Sequence, residues 1–456
     1  MSPSICRTSC EADPAPAPAP AAGPTLVNGN GASPNGHSAG CSTSGRSAAS
    51  PVDWSKVRLG VDPAPTMFVA NWSAESCCWD GGQLVPYGPL HLLPAAQVLN
   101  YGQSIFEGMK AYRQADAPAP HILLFRPEAN AARFEAGAAR MCMPPVPPEM
   151  FLAAVHAVVR ANADWVPPSC RGSLYVRPLL LGTGPLLGLC PAPSYTFVVY
   201  AVPVGGRAKE GRLTALDFLI HDSLHRAAPR GVGSTKAAGN YSPCLMAQAQ
   251  ARAQGCTDCI YLDARSDTYL EEGSGCNVFA THGRVLTTPP AAGSILPGIT
   301  RASLLQLAGA LGYVVREDNI SVEAALAADE MFASGTAMVV QPIGSLTYKG
   351  RRPGSLPPGV GPVAQRLYGL LTGIQYGRVA DPFGWAVPVD MNGPTEGELH
   401  LDRLLPVEEV EAEEEAAEAA PEAGGAKAVK KAGAAAGAGG AKANKPHAVF
   451  ADPNLE

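Results

Sequence analysis

The chain has 456 residues, 46% of them apolar, and a formal net charge of -6. That length exceeds one ordinary domain and points to two globular units with tails. The acidic balance supplies no basic stripe for nucleic-acid phosphates, and no apolar run is long enough to cross a bilayer, so neither partner is expected. The 12 cysteines are scattered without a paired framework, which suits a reducing compartment.

Residues 1–55 are rich in Ala, Pro, Ser and Gly, with a Pro-Ala repeat at Asp13–Pro20. Such a stretch cannot build a core and reads as disordered. It also reads as an organelle transit segment, being Ser-rich, although Glu11 and Asp13 and the few arginines argue against that. The first globular unit is placed at 56–206. Met67–Asn71, Gln83–Tyr87 and Ile122–Phe125 have strand composition. Asn130–Met143 and Met150–Asn162 have helical spacing, which puts Arg133 in the first turn of its helix. Ser173–Leu181 and Tyr195–Val204 read as buried strands, and Arg177 interrupts the first. A charge in such a strand is costly unless it reaches a partner or a cleft. The polar break Gly205–Arg212 marks the domain boundary.

The second unit is placed at 213–390 and carries the stretch Gly231–Tyr241, a single lysine among small residues. Its glycines offer unusual backbone angles and close approach. Ser242 as N-cap and Pro243 as first helical residue start a helix through Gln254. Lys236 thus sits on a loop that feeds a helix. The stretch does not fit a phosphate loop, because Thr235 precedes the lysine and Ala237 follows it. A lysine packed among apolar groups loses pKa and can attack a carbonyl; a surface lysine in a Gly loop is the plain alternative. Lysines are scarce ahead of the tail: Lys56, Lys110, Lys209, Lys236 and Lys349. Leu213–Ile220 and Cys259–Asp263 read as strands, and Cys256 with Cys259 as packing rather than a redox pair. His221 and His225 lack the glutamate of a zinc-protease helix. Glu271 and Glu272 lead into a Gly-Ser-Gly turn. Thr300 is expected to cap a helix ending at Gly312, whose free N–H groups make an anion site. Glu330–Ser334 is a strand before the tight turn Gly335–Ala337. Residues 391–456, acidic and then Ala-, Gly- and Lys-rich, read as a disordered tail.

These pieces, in order, resemble the class IV pyridoxal-phosphate aminotransferases of fold type IV, and among them the branched-chain amino-acid aminotransferases. The resemblance runs over Thr66–Val389. It is carried by Phe106–Tyr112, Leu174–Pro178, Lys236 with Gly239–Tyr241, Glu272–Asn277, Leu296–Arg301, Ser334–Ala337 and Gly373–Gly377. It implies a two-domain α+β fold and transamination between leucine, isoleucine or valine and 2-oxoglutarate. Lys236 would hold pyridoxal 5'-phosphate as a Schiff base and shuttle the proton. Glu272 would pair with the ring nitrogen, and Tyr241 with the ring oxygen. Arg133, Ile299, Thr300 and Thr336 would bind the phosphate. Ala337 and Thr336 would receive the substrate carboxylate. Tyr101, Phe106 and Tyr175 would form the apolar wall, and Arg177 would meet glutamate's carboxylate. Tyr101 would come from a neighbouring subunit, which implies a homodimer. Gly275 departs from relatives that carry a hydroxyl residue there, and the Cys-x-x-Cys switch of some animal members is absent after Ala337. D-amino-acid aminotransferases and aminodeoxychorismate lyases share the fold and are the nearest rivals. The N-terminal segment leans toward a plastid or mitochondrial enzyme.

Overall fold

The computed structural model describes residue 54 and residues 62–393, apart from 115–120, 207–211, 292, 353–355 and 357–358. The expected tails, 1–55 and 391–456, lie almost wholly outside the described residues.

Before the polar break come β1 (Thr66–Ser73), β2 (Gln83–Pro86), α1 (Gln97–Tyr101), β3 (Ser104–Phe106), β4 (Met109–Arg113), β5 (Ile122–Phe125), α2 (Pro127–Arg140), α3 (Pro148–Ala161), β6 (Gly172–Gly182) and β7 (Ser194–Gly205). After it come β8 (Leu216–His221), α4 (Cys244–Ala253), β9 (Asp258–Leu262), β10 (Tyr269–Gly273), β11 (Asn277–His282) and β12 (Val285–Thr288). The chain continues through α5 (Ile299–Ala310), β13 (Val314–Glu317), β14 (Ile320–Ser321), α6 (Val322–Leu326), β15 (Glu330–Gly335), β16 (Val339–Tyr348), α7 (Pro362–Gln375) and β17 (Ala386–Pro388).

The first sheet runs β17-β5-β4-β6-β7-β1-β2, with β3 also on β6, and its pairings are antiparallel. The return of β17 means that the last strand described belongs to the sheet built by the N-terminal half. A core of Phe68, Phe134, Phe151 and Phe197 lies between this sheet and α2 and α3. Each such ring stabilises the fold by roughly 1.5–3 kcal/mol through burial. The second sheet runs β13-β12-β11-β15-β16-β8-β9-β10-β14. An added pairing of β10 with β11, Glu272 opposite Asn277, closes its central strands into a ring. Phe218, Ile260, Val278, Ala333 and Leu346 fill one core of this half, and α5 and α7 cover another. Cys256 and Cys259 pack with Leu219, Ala247 and Tyr261 in a small cluster under α4.

Several element starts differ from expectation. The helix α2 begins at Pro127, because Arg126 takes a left-handed conformation (φ 52) and a proline without an N–H fits the first turn. Arg133 therefore lies in the second turn. Pro243, not Ser242, is the cap of α4, and no side chain caps it. Thr300 lies inside α5, whose cap is Gly298, again with no side-chain hydrogen bond. That leaves the first amides of α5 without a capping side chain.

Candidate active site

The lysine loop is fixed on both sides. Asn240 Nδ2 donates to the carbonyls of Val232 and Thr235, each at 2.8 Å. The Phe106 amide donates to the Lys236 carbonyl at 3.1 Å, and Ala237 forms a bridge with Ile105 of β3. None of the loop's glycines has a positive φ. Gly233 is needed for closeness instead: a Cβ there would lie well inside contact distance of the Ser294 carbonyl and Ala227.

Lys236 Nζ donates to the Tyr241 hydroxyl at 3.0 Å and stands 4.7 Å from the centre of the Phe106 ring. Burial and the neighbouring Arg133 charge lower its pKa to about 8. The side chain keeps some contact with the cavity, so this is the desolvation of a pocket wall rather than of a core. Tyr241 is pushed up to about 12, by burial and then by the Glu272 charge. Lys236, Tyr241 and Glu272 line one cavity, together with Arg133, Arg226, Ile299, Thr300, Ser334 and Thr336.

Glu272 is the penultimate residue of β10, where the ring of strands closes. It accepts the Leu296 amide at 2.9 Å, an N–H of Asn277 at 3.3 Å and an ion pair from Arg226 at 2.5 Å. Burial outweighs these partners and raises its pKa to about 7. Glu271, next to it, hydrogen-bonds the Ser294 hydroxyl and is also raised, chiefly by burial.

Arg133 reaches the cavity from α2 but is not free. Its Nε and Nη2 grip Glu107 at 2.6 and 2.8 Å, and its Nη1 donates to the Pro297 carbonyl at 2.9 Å. Burial pulls its pKa down, and the charge and hydrogen bonds of Glu107 more than restore it. The guanidinium therefore lies beside the uncapped start of α5, so that donors of both face the same cavity. Thr336 lines the same cavity, with its hydroxyl donating to the Gly108 carbonyl at 3.1 Å.

A second cavity is lined by Tyr87, Tyr175, Arg177, Tyr200, Val202 and Ala337, among others. Alternation along β6 turns Tyr175 and Arg177 to one side. Arg177 makes no hydrogen bond or ion pair among the described residues; its Nε is buried and unpartnered. It is held by rings, 4.8 Å from Phe106 and 5.3 Å from Tyr175. Phe106 in turn packs on Tyr241 at 4.9 Å, so one ring bridges Lys236 and Arg177. Lys110 Nζ donates to the Ala337 carbonyl at 2.9 Å and holds that turn.

Of the residues singled out in the sequence, Tyr101 alone stands apart. It is 41% exposed at the end of α1 and borders neither cavity. Two site residues were not singled out. Glu107 stood unassigned inside the Phe106–Tyr112 block, in the break between β3 and β4, where nothing local marks it. Arg226 gave only a weak signal, an arginine in the His225–Arg230 loop before the glycines.

The amino-transferase class IV family model matches residues 104–346. The Arabidopsis thaliana chloroplastic branched-chain-amino-acid aminotransferase 5 is 46% identical over 340 residues, 74% of this chain and 80% of that protein. The Humulus lupulus mitochondrial branched-chain amino acid aminotransferase 1 is 44% identical over 352 residues, 77% of this chain and 88% of that one. Among solved structures, the Escherichia coli branched-chain amino acid aminotransferase superposes with a TM-score of 0.59 at 29% identity, covering 72% of this chain and 100% of that one. A loop lysine beside a phenol and a buried carboxylate, on a fold shared with these enzymes, places the chain in the class IV aminotransferases, in the branched-chain-amino-acid aminotransferase family.

Proposed function

We propose that this chain exchanges the amino group between leucine, isoleucine or valine and 2-oxoglutarate, with pyridoxal 5'-phosphate held on Lys236. The observation that carries the reading is the joint lining of one cavity by a lysine of lowered pKa, a phenol in hydrogen-bond contact with it, and a buried carboxylate. The rest of that cavity fits the cofactor. The uncapped α5 and the guanidinium of Arg133 offer donors to a phosphate, and the buried Ser334 hydroxyl in the lining has no partner among the described residues. A Cβ on Gly298 would strike the Asn277 side chain, so the approach to the anion site stays bare.

Bound there, the cofactor supplies an electron sink for the charge left when the substrate Cα loses its proton. Glu272 holds the counter-charge for a protonated ring nitrogen. Tyr241 donates to the ring oxygen. Arg133 and the amides of Ile299 and Thr300 bind the phosphate; Thr336 adds its oxygen to the same wall. The amine of Lys236 would hold and move the proton at the substrate Cα, which a pKa near neutrality suits. The amides of Thr336 and Ala337 take the substrate carboxylate. Phe106 and Tyr175 exclude water around an aliphatic side chain. Arg177, lacking a carboxylate partner, receives the second carboxylate of glutamate when the dicarboxylate takes its turn. Tyr101, exposed on its own chain, completes the wall across a homodimer interface. An organelle is the compartment favoured, because the relatives named above are chloroplastic and mitochondrial.

Borohydride reduction of the purified protein, digestion and mass spectrometry give the direct test. A pyridoxyl mass on the Lys236 peptide is expected; the mass on another lysine, or on none, overturns the reading. Steady-state assays with L-leucine and D-alanine separate the branched-chain reaction from the D-amino-acid one, and D-alanine as the better substrate would refute the choice. The mature N-terminus, read by mass spectrometry, tests the compartment: an intact Met1 argues for the cytosol.

A further inference from the structure

We infer that Arg226 is a positioning residue that favours the ionised form of Glu272 and holds it in register with the Lys236 loop. This rests on the reading of the cavity as a pyridoxal 5'-phosphate site. The side chain is almost wholly buried, at 4% exposure. Its Nη2 reaches three separate segments: Glu272 Oε1 at 2.5 Å, the Gly233 carbonyl at 2.8 Å and the Ser294 carbonyl at 2.5 Å. Gly233 lies three residues before the lysine. Ser294 lies on the approach to the anion-binding start of α5, and its hydroxyl holds Glu271. One guanidinium thus ties together the amine, the carboxylate and the phosphate-side loop. Gly233 lets the loops close on it, since any Cβ there would push Ser294 away.

The electrostatic need is plain. Two adjacent carboxylates, Glu271 and Glu272, are buried side by side, and burial favours their neutral forms. The charged and titratable groups facing Glu272 are Arg226, Glu271, Lys236, Tyr241 and Cys276. Arg226 is the cation among them in direct contact with the carboxylate. Burial lifts Glu272 to about 7 even with Arg226 beside it, and a neutral residue at 226 would lift it further, so that Glu272 would hold its proton through neutral pH. The ring nitrogen would then lose its counter-charge, although every residue that touches the cofactor would still be in place.

The test compares wild type, Arg226→Gln, Arg226→Lys, Glu272→Gln and the Arg226→Gln/Glu272→Gln pair. Each is measured for equilibrium binding of pyridoxal 5'-phosphate and for the pH at which the visible absorbance of the loaded protein changes. Arg226→Gln is expected to weaken binding about tenfold or more and to raise that pH by about a unit, because the ring nitrogen, without its counter-charge, gives up its proton. Arg226→Lys, which keeps the charge, should retain the wild-type pH profile while binding more weakly. In the Glu272→Gln background, Arg226→Gln should move the profile no further. A wild-type profile and affinity in Arg226→Gln overturn the inference. So does a profile displaced in Arg226→Lys, a result that does not need the glutamine variant to fold. Full additivity of the pair overturns it as well. Wild-type protein that binds no pyridoxal 5'-phosphate refutes the underlying reading instead.

Discussion

Replacing Glu107 by glutamine should destabilise the cofactor-free protein and at the same time tighten its hold on small anions. Glu107 is fully buried, and the Arg133 side chain is only 12% exposed. The pair shares two charge-assisted hydrogen bonds, and Glu107 also accepts the Gly108 amide at 3.0 Å. Glutamine keeps one oxygen but sets an N–H₂ against either the guanidinium or that amide. Breaking a buried pair by neutralising one partner costs about 3–5 kcal/mol. Arg133 borders the cavity, where water or an anion can reach it, so the low end, about 3 kcal/mol, is the expected loss. Urea unfolding of the cofactor-free protein measures it. The uncompensated guanidinium then seeks another anion at the start of α5. Inorganic phosphate should therefore bind the variant more tightly and restore stability by about 2.7 kcal/mol at a hundred times its Kd. A loss below about 1 kcal/mol, or phosphate binding no tighter than in wild type, would refute the role given to the pair.

Lys236→Met should make the cofactor-free protein more stable, by about 2 kcal/mol after allowing for partial solvent contact, because an amine held near pKa 8 against an ordinary 10.5 opposes folding at neutral pH; thermal unfolding that shows the variant less stable contradicts the desolvation argument. Glu272 is an acid whose folded pKa is raised, from 4.5 to about 7, so its ionisation favours the unfolded chain. Its contribution is intact below about pH 4.5 and is lost as pH rises toward 7, roughly 2–3 kcal/mol in all; a pH series of urea midpoints should show that decline in wild type and not in Glu272→Gln. Gly298→Ala forces the Asn277 side chain off the Leu296 carbonyl and Glu272, a strain of about 1–3 kcal/mol. Calorimetry of phosphate binding should show the anion site weakened as well, and unchanged binding would mean that the start of α5 tolerates the methyl group.

Much of this site could be read before any fold was known, and the residues that could not share a physical cause. Lys236 announced itself by loop composition and by the scarcity of other lysines. Arg177 stood out as a charge that a buried strand could not hide. In each case a local mismatch between residue type and pattern marked the place. The helix starts failed where capping was not done by a side chain: α5 begins on a glycine and α4 on a proline, whereas the sequence offered Thr300 and Ser242 as better caps. A bare helix start is a poor choice for stability alone, and the misreading at Thr300 fell where the first amides of α5 are left open for the proposed phosphate. Glu107 and Arg226 escaped for another reason. Neither is unusual in its own segment; each acquires meaning from a partner far away in the chain, Arg133 for one, Glu272 and Ser294 for the other. Contacts of that range are set by how β10 and β11 close the ring and by how β3 reaches the lysine loop. Periodicity can place strands, but it does not say which strand ends meet. The side chains proposed to act on the substrate were therefore legible one at a time, while the charges that face them, Glu107 and Arg226, emerged only with the topology.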